Sequence, residues 1–438
     1  MDKDEFIWEI IKALNLSNFK WCIPSGYQEL PRVNSDIDVI VSEKPIMVVK
    51  YLLNYFAGKD VGWKLVHLHK GKNCYCVFAS VMNNQLDYLF LDLSQHYYYQ
   101  GKKVISGDIF LEKVELFNQI PIPSVHVEFI YIFIKRVGKL QMTEEQFARL
   151  SESFYLDPTG CLKMLKLFWS DIESKQIEAL VMEKDYEGLQ NALPEYRNRL
   201  LTKNLLKLLS LYYCDYQLKL VKLIRRIWHS PGLEVICLGP DGSGKSTTIK
   251  EIESFISPLL KVRKYHLRSF PSKVYKGDSM TKKSPYGESK QNKLVSIVKI
   301  VIYFLTFWFG RVFITNPQKL QTRMILFDRS YHDITIDPSR FRLNCPAWFT
   351  RLISTVFPKP DLFFIFDAPT EVIQARKQEV SYEETEQQRI NYLAFAEENR
   401  DTAFIINTED GQGDTLVRVM NILFCYMEDR EKVRLKVE

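Results

Sequence analysis

The stretch Gly239-Pro240-Asp241-Gly242-Ser243-Gly244-Lys245-Ser246 has the spacing GxxxxGK[ST], which is a device for holding phosphates. Its glycines let the backbone curl so that successive N–H groups converge on phosphate oxygens, and the start of the next helix adds partial positive charge. The expected cofactor-binding residues are Gly239, Asp241, Gly242, Ser243, Gly244, Lys245, Ser246 and Thr247. Among them Lys245 brings a cation to the transferable phosphates, and Ser246 offers a hydroxyl oxygen to magnesium. Further along, Asp328 and Arg329 follow the apolar run Met324 to Phe327. There a carboxylate can orient magnesium or its water, and a guanidinium can fork onto two phosphate oxygens. The chemistry these residues suit is phosphoryl transfer from a nucleoside triphosphate, with Mg2+ as the metal.

A second group of carboxylates lies near the N-terminus, where Asp36 and Asp38 stand two apart in Ser35-Asp36-Ile37-Asp38-Val39-Ile40-Val41. In an extended strand they project to the same side and can share a metal ion. His67, His69, Cys74 and Cys76 flank a turn at Gly71-Lys72 and have zinc-ligand chemistry. A flat hairpin wraps a tetrahedral ion poorly, so buried thiols and sheet-packed histidines are the simpler reading. The run Tyr97-Tyr98-Tyr99 reads as packing surface rather than a base-stacking platform, because no interleaved basic residues extend from it.

Elements must position these groups. Asp36 to Val41, Val61 to His69, Cys74 to Val81 and Leu86 to Leu93 read as strands with polar turns between them. From Val127 to Ile227 the period changes to helical, with Phe129 to Lys139 and Leu200 to Trp228 the longest runs. Ser230-Pro231-Gly232 breaks that pattern, and Leu233 to Leu238 then reads as a buried parallel strand. Arg323 to Phe327, Leu362 to Phe366 and Phe404 to Ile406 are further strands alternating with helices. The expected architecture is α/β: an α+β domain over 1–125, a helical connector over 126–230, and a P-loop domain with a doubly wound parallel sheet over 231–438. Lys261 to Lys293 reads as a basic, loop-rich insertion, and Leu294 to Ile314 as a buried core helix, since Lys299 and Arg311 interrupt its apolar run.

The 438 residues suffice for two or three domains at about 150 each. A net charge of +6 is too mild for a dedicated nucleic-acid binder but suits anionic small substrates. The eight cysteines lack a CxxC pair or an even framework, and the acidic start Met1-Asp2-Lys3-Asp4-Glu5 does not resemble a secretion signal. A reduced, cytoplasmic protein is expected, with homodimerisation and peripheral membrane contact both left open.

The P-loop together with Asp328-Arg329 resembles the thymidylate kinase family over about residues 233–430. That resemblance implies an ATP-dependent kinase acting on a nucleoside monophosphate or related phosphorylated acceptor. It sets Asp328-Arg329 at the acceptor side and Asp241 near the acceptor's sugar hydroxyl. It also implies a lid drawing on Arg376, Lys377 or Arg389, with Arg376 preferred, so the implied catalytic set is Lys245, Asp328, Arg329 and Arg376. Asp328 and Ser246 would hold the metal, and Arg268 is a further candidate for the acceptor phosphate. Ser330 departs from the aromatic or histidine expected after the pair, while Tyr331-His332-Asp333 and Asp337-Pro338-Ser339-Arg340 resemble a divergent branch.

Ser25-Gly26 ahead of Asp36 and Asp38 resembles the nucleotidyltransferase superfamily, although the turn there is glycine-serine. This implies a third carboxylate on a neighbouring strand, Asp92 or else Asp87, completing a metal set Asp36, Asp38 and Asp92. The fused layout resembles bacterial proteins associated with surface polysaccharide biosynthesis. Two competing readings are a Mg-dependent nucleotidyltransferase with a regulatory P-loop domain, and a non-catalytic nucleotide sensor or scaffold.

Overall fold

In the computed structural model of the chain, residues 1–33, 35–82, 85–202, 230–266, 292–357, 359–378 and 380–436 are described. They form two compact units, one of residues 1–214 with 423–438 and the other of residues 215–422. The helical reading of Leu200 to Trp228 beyond Thr202 and the assignment of Arg268 lie outside the described residues.

The second unit is built on a five-stranded parallel sheet. Its strands are β10 (Leu233–Leu238), β11 (Lys261–His266), β12 (Arg323–Asp328), β13 (Leu362–Asp367) and β14 (Ala403–Asn407), in the order β11-β12-β10-β13-β14. All six residues of β10 are buried, and β13 is buried from Leu362 to Phe366. Buried runs of this kind, apolar but for Glu234, fit strands covered on both faces. Strand β11 corrects the loop reading of its segment. Its sequence Lys-Val-Arg-Lys-Tyr-His has no apolar run to betray it, because an edge strand meets a neighbour on one side only.

The apolar segment also departs from expectation. Lys293–Gly310 is a helix that continues through one π-helical turn, Arg311–Thr315, into Asn316–Leu320. It buries only Ser296, Ile300, Tyr303, Phe307 and Gly310, and much of the rest of its apolar surface is exposed. A helix that is apolar all round does not reveal in sequence which face is covered. Arg311 is explained by Glu234, a carboxylate in β10 that is 2% exposed and lies 2.9 Å from the guanidinium. Lys319 stands 3.8 Å from Glu234 and 2.8 Å from Asp361, closing a buried network between helix and sheet.

The first unit carries a mixed sheet of β1 (Trp21–Cys22), β2 (Ile37–Val41), β3 (Trp63–Lys70), β4 (Cys74–Met82) and β5 (Gln85–Ser94), in the order β1-β2-β5-β4-β3. The expected hairpins β3–β4 and β4–β5 are antiparallel, whereas β2 and β5 pair in parallel. Apolar side chains of helix Lys3–Leu16, including Phe6, Ile7 and Ile10, join the core over this sheet, and a capping box between Asp2 and Glu5 fixes the helix start. Helices between Val125 and Thr202 form a second core around Phe129, Phe133, Phe154 and Trp169. The cysteines of the described residues are all free. Cys76 pairs with Leu68 in the β3–β4 register, so strand alternation sends His67 and His69 to the opposite face from the thiols. That geometry offers no four-ligand zinc site.

Glu234→Ala would take from Arg311 its carboxylate partner in a dry interior and leave Lys319 with Asp361 alone. The expected loss is about 3 kcal/mol of unfolding free energy in urea titrations, with Glu234→Gln falling between the variant and the parent.

Candidate functional site

Parallel pairing brings the C-terminal ends of β10, β11 and β12 to one edge, with His266 and Cys237 both in register with Asp328. Loops at such strand ends form the ligand crevice of open α/β sheets. The loop after β10 turns through positive φ at Gly239, Gly242 and Gly244, at 142°, 87° and 83°. At Gly239 a Cβ would lie 2.4 Å from the Phe366 carbonyl oxygen, so a side chain there would force β10 and β13 apart. Gly244 is the N-cap of helix Lys245–Ile256, which puts the loop against a helix N-terminus.

Asp241, Gly242, Gly244, Lys245, Ser246, Thr247, Asp328, Arg329 and Arg376 all line one cavity of about 650 Å3. Gly239 and Ser243 lie in the supporting loop, and Ser243 is fully buried. The Lys245 ammonium turns back into the loop, donating to the carbonyls of Gly239 (2.7 Å) and Pro240 (2.5 Å) and to Ser243 Oγ (3.3 Å). Burial, with help from the Arg329 charge, pushes its pKa down to about 7. Ser246 Oγ donates to Asp328 Oδ2 at 3.1 Å, so two hard oxygen donors stand together of the kind magnesium takes. Burial alone would raise the Asp328 carboxyl, but hydrogen bonding from His266 and the Lys245 charge hold it below its ordinary range.

Arg329 adopts a left-handed backbone, φ 70°, which is costly for a residue with a Cβ. Its N–H donates to Cys237 O at 3.1 Å. Its buried guanidinium donates to Asp333 (3.2 Å), to Tyr392 Oη (3.3 Å) and to Asp241. Tyr392 in turn donates to Asp333 at 2.5 Å. The other Asp241 oxygen accepts from Arg340 at 2.5 Å. Arg340, His266 and Thr408 are pocket residues that sequence reasoning did not assign, whereas Lys377, one of the expected lid cations, lines the same cavity. Asp337-Pro338-Ser339-Arg340 stood out in sequence only as resembling a divergent branch, and the fold shows that Arg340 meets Asp241.

The lid candidates separate. Arg376 faces the cavity and donates to Thr408 Oγ1 (3.2 Å) and Thr408 O (2.8 Å). Arg389 instead clamps Asp367 at 2.8 and 3.1 Å and also bonds Thr370 and Glu386, so its role is to tie helix Tyr382–Glu398 to the end of β13.

In the first unit, the parallel β2–β5 register sets Asp38 beside Asp92. Asp38 accepts from Tyr131 Oη at 2.9 Å and is ion-paired with Lys135, while Asp36 accepts from Tyr75 Oη at 3.2 Å. Burial, then the Asp38 charge, raises the Asp92 carboxyl to about 6. Asp87 sits at the far end of β5 opposite Ser80. A cleft of about 230 Å3 beside Asp36 and Asp38 is lined also by Ser25, Gly26, Lys135, Arg136 and Arg149. Among the described residues no group of three His, Cys, Asp or Glu side chains is arranged to hold a metal ion. The Asp38–Lys135 pair shows one reason, since an ammonium already occupies the carboxylate. Lys135 and Tyr131, four apart on helix Val125–Lys139, were missed because their sequence looks like any amphipathic helix.

No family model and no curated protein matches the chain. Among solved structures, a thymidylate kinase from Ehrlichia chaffeensis is similar at 16% identity and a TM-score of 0.31, over 44% of this chain and 98% of that one. A deoxyadenosine kinase from M. mycoides is similar at 17% identity and the same TM-score and coverages.

A triphosphate attracts the ammonium form of Lys245, so binding above pH 7 should take up a proton. ATP affinity measured by calorimetry is expected to be flat below about pH 7 and to fall by up to about tenfold per pH unit above it. For Asp92 the fold favours the neutral acid, so ionisation between about pH 4 and pH 6 weakens the first unit. Asp92→Asn should therefore raise the melting temperature at pH 7.5, by about 3 °C, and make no difference below pH 4.

Proposed function

We propose that the chain is a Mg2+- and ATP-dependent phosphotransferase of thymidylate kinase type, moving the γ-phosphate to a nucleoside monophosphate or related phosphorylated small molecule. The observation that carries this reading is the convergence of Lys245, Ser246, Asp328 and the Arg329–Asp241 pair on one cavity. The curled loop and helix N-terminus suit the triphosphate tail, and Lys245 exchanges the loop carbonyls for phosphate oxygens. Ser246 and Asp328 would hold magnesium, which when bound neutralises charge on the transferring phosphates. Arg376, with Lys377 next to it at the cavity, balances negative charge as the phosphoryl group moves. Arg329 and Arg340 hold the Asp241 carboxylate from both sides, orienting it as an acceptor for a hydroxyl of the second substrate. The free, mostly buried thiols support a reducing, cytoplasmic setting.

A second reading concerns the first unit. The pairing of Asp38 with Asp92 beside a cleft carrying Lys135, Arg136 and Arg149 supports a nucleotidyltransferase-like site, with the cations suited to a triphosphate and the carboxylates to a metal. Its operation would require Lys135 to leave Asp38.

Products distinguish the two. With Mg-ATP and a panel of nucleoside monophosphates, mass spectrometry should find ADP and a phosphorylated acceptor, and Lys245→Ala should lower that yield at least 100-fold (about 2.7 kcal/mol of barrier). Pyrophosphate with a nucleotidyl adduct would mark the second site, and Asp36→Ala with Asp38→Ala should remove only that product. Full phosphoryl transfer by Lys245→Ala would overturn the assignment.

A further inference from the structure

The cleft of the first unit holds three cations in three different states. Lys135 is ion-paired with Asp38 and donates to Tyr131 Oη at 3.3 Å, while Tyr131 donates to the same Asp38 oxygen at 2.9 Å. Arg149 is paired with Glu29 at 2.9 Å in a half-exposed contact, of a kind that contributes little and exchanges readily. Arg136 has no such partner. Among the described residues its guanidinium makes no hydrogen bond or ion pair, and its Nε is shut off from water. Such a group is costly until an acceptor reaches it. The same cleft is lined by Gly26, whose backbone at φ 78° leaves open the space that a Cβ would take, so a ligand can approach the main chain there.

We infer that this cleft is a receptor for a phosphate-bearing small molecule that works without a metal ion, with Lys135 standing where a divalent cation would and Arg136 supplying the open contact. In the second reading Lys135 must leave Asp38 to admit a metal; here it stays. The hydrogen bonds favour its staying. Asp38 Oδ2 has two in-plane lone pairs, and Lys135 and Tyr131 take both. Of the three N–H donors of the Lys135 ammonium, one goes to Asp38 and one to Tyr131, which leaves one for a ligand oxygen. The ammonium would then join a carboxylate to a phosphate, the bridging that a metal ion performs in a carboxylate site. Tyr131 and Lys135 stand one turn apart on helix Val125–Lys139 with Arg136 next in line, so a single rigid element carries all three. Phosphate suits the set better than a carboxylate does, since its oxygens point three ways and can meet Lys135, Arg136 and an Arg149 released from Glu29 together. A carboxylate offers two oxygens in one plane.

Calorimetry with inorganic tripolyphosphate in excess EDTA tests this on the full chain. Lys245→Ala is the background, because the loop of the second unit also takes phosphates. One equivalent should bind, and Arg136→Gln should weaken it at least about tenfold, the worth of a hydrogen bond to a charged group. Since Arg136 is unpaired in the free protein, that variant should melt no lower than its background. Lys135→Met should weaken binding by a similar factor, whereas Asp38→Asn, which would cripple a metal site, should strengthen it by freeing Lys135. Binding that appears only when Mg2+ replaces EDTA overturns the inference and leaves the second reading standing. No binding under either condition overturns both. Chelator-resistant binding that Arg136→Gln leaves intact seats the ligand elsewhere and overturns the inference alone.

Discussion

The second unit turns on the buried contact between Arg329 and the acids around it. A left-handed arginine with its guanidinium out of water is costly twice over, in backbone conformation and in desolvation. It persists because Asp333, Asp241 and Tyr392 share its donors and because its N–H reaches across to Cys237 in the neighbouring strand. Through Asp241 the cluster fixes the loop after β10, through Cys237 the end of that central strand, and through Tyr392 the helix Tyr382–Glu398. The end of β10 with its loop and a helix about 150 residues later are thus held to one charge.

The same geometry explains why the Lys245 ammonium can sit buried near neutrality. Its partners are carbonyls and a hydroxyl of its own loop, which satisfy donors without supplying a full negative charge. The loop is therefore closed on itself by bonds that an anionic ligand can replace with stronger ones. Asp241 is held differently, by two guanidiniums, so the mouth of the cavity combines one exchangeable cation with one firmly oriented carboxylate.

Local chemistry was legible and distance was not. The loop from Gly239 to Ser246 announces itself because its conformations demand glycine at fixed places, and β12 and β13 because strands covered on both faces must be apolar throughout. Strand β11 escaped notice for the converse reason: at the sheet edge, Lys261, Arg263 and Lys264 can remain in water. Arg340 and His266 carry no local signature and gain meaning only where the chain returns to the cavity. Arg389 and Arg376 look alike in a charge-dense stretch, yet one meets Asp367 and the other Thr408. In the first unit, alternation predicted that Asp36 and Asp38 share a side, while the lysine bound to Asp38 comes from a helix almost a hundred residues later.

Strand β11 bears on how this unit avoids unwanted assembly. The last strand of any sheet is an open row of amide donors and acceptors, on which a second chain can add its own strand and begin a fibre. Here that row is studded with ammonium and guanidinium groups, whose mutual repulsion in a would-be stack grows with every added copy. The polar sequence that hid the strand from inspection is thus also a guard against runaway polymerisation, most useful while the slow parallel sheet is still coming together.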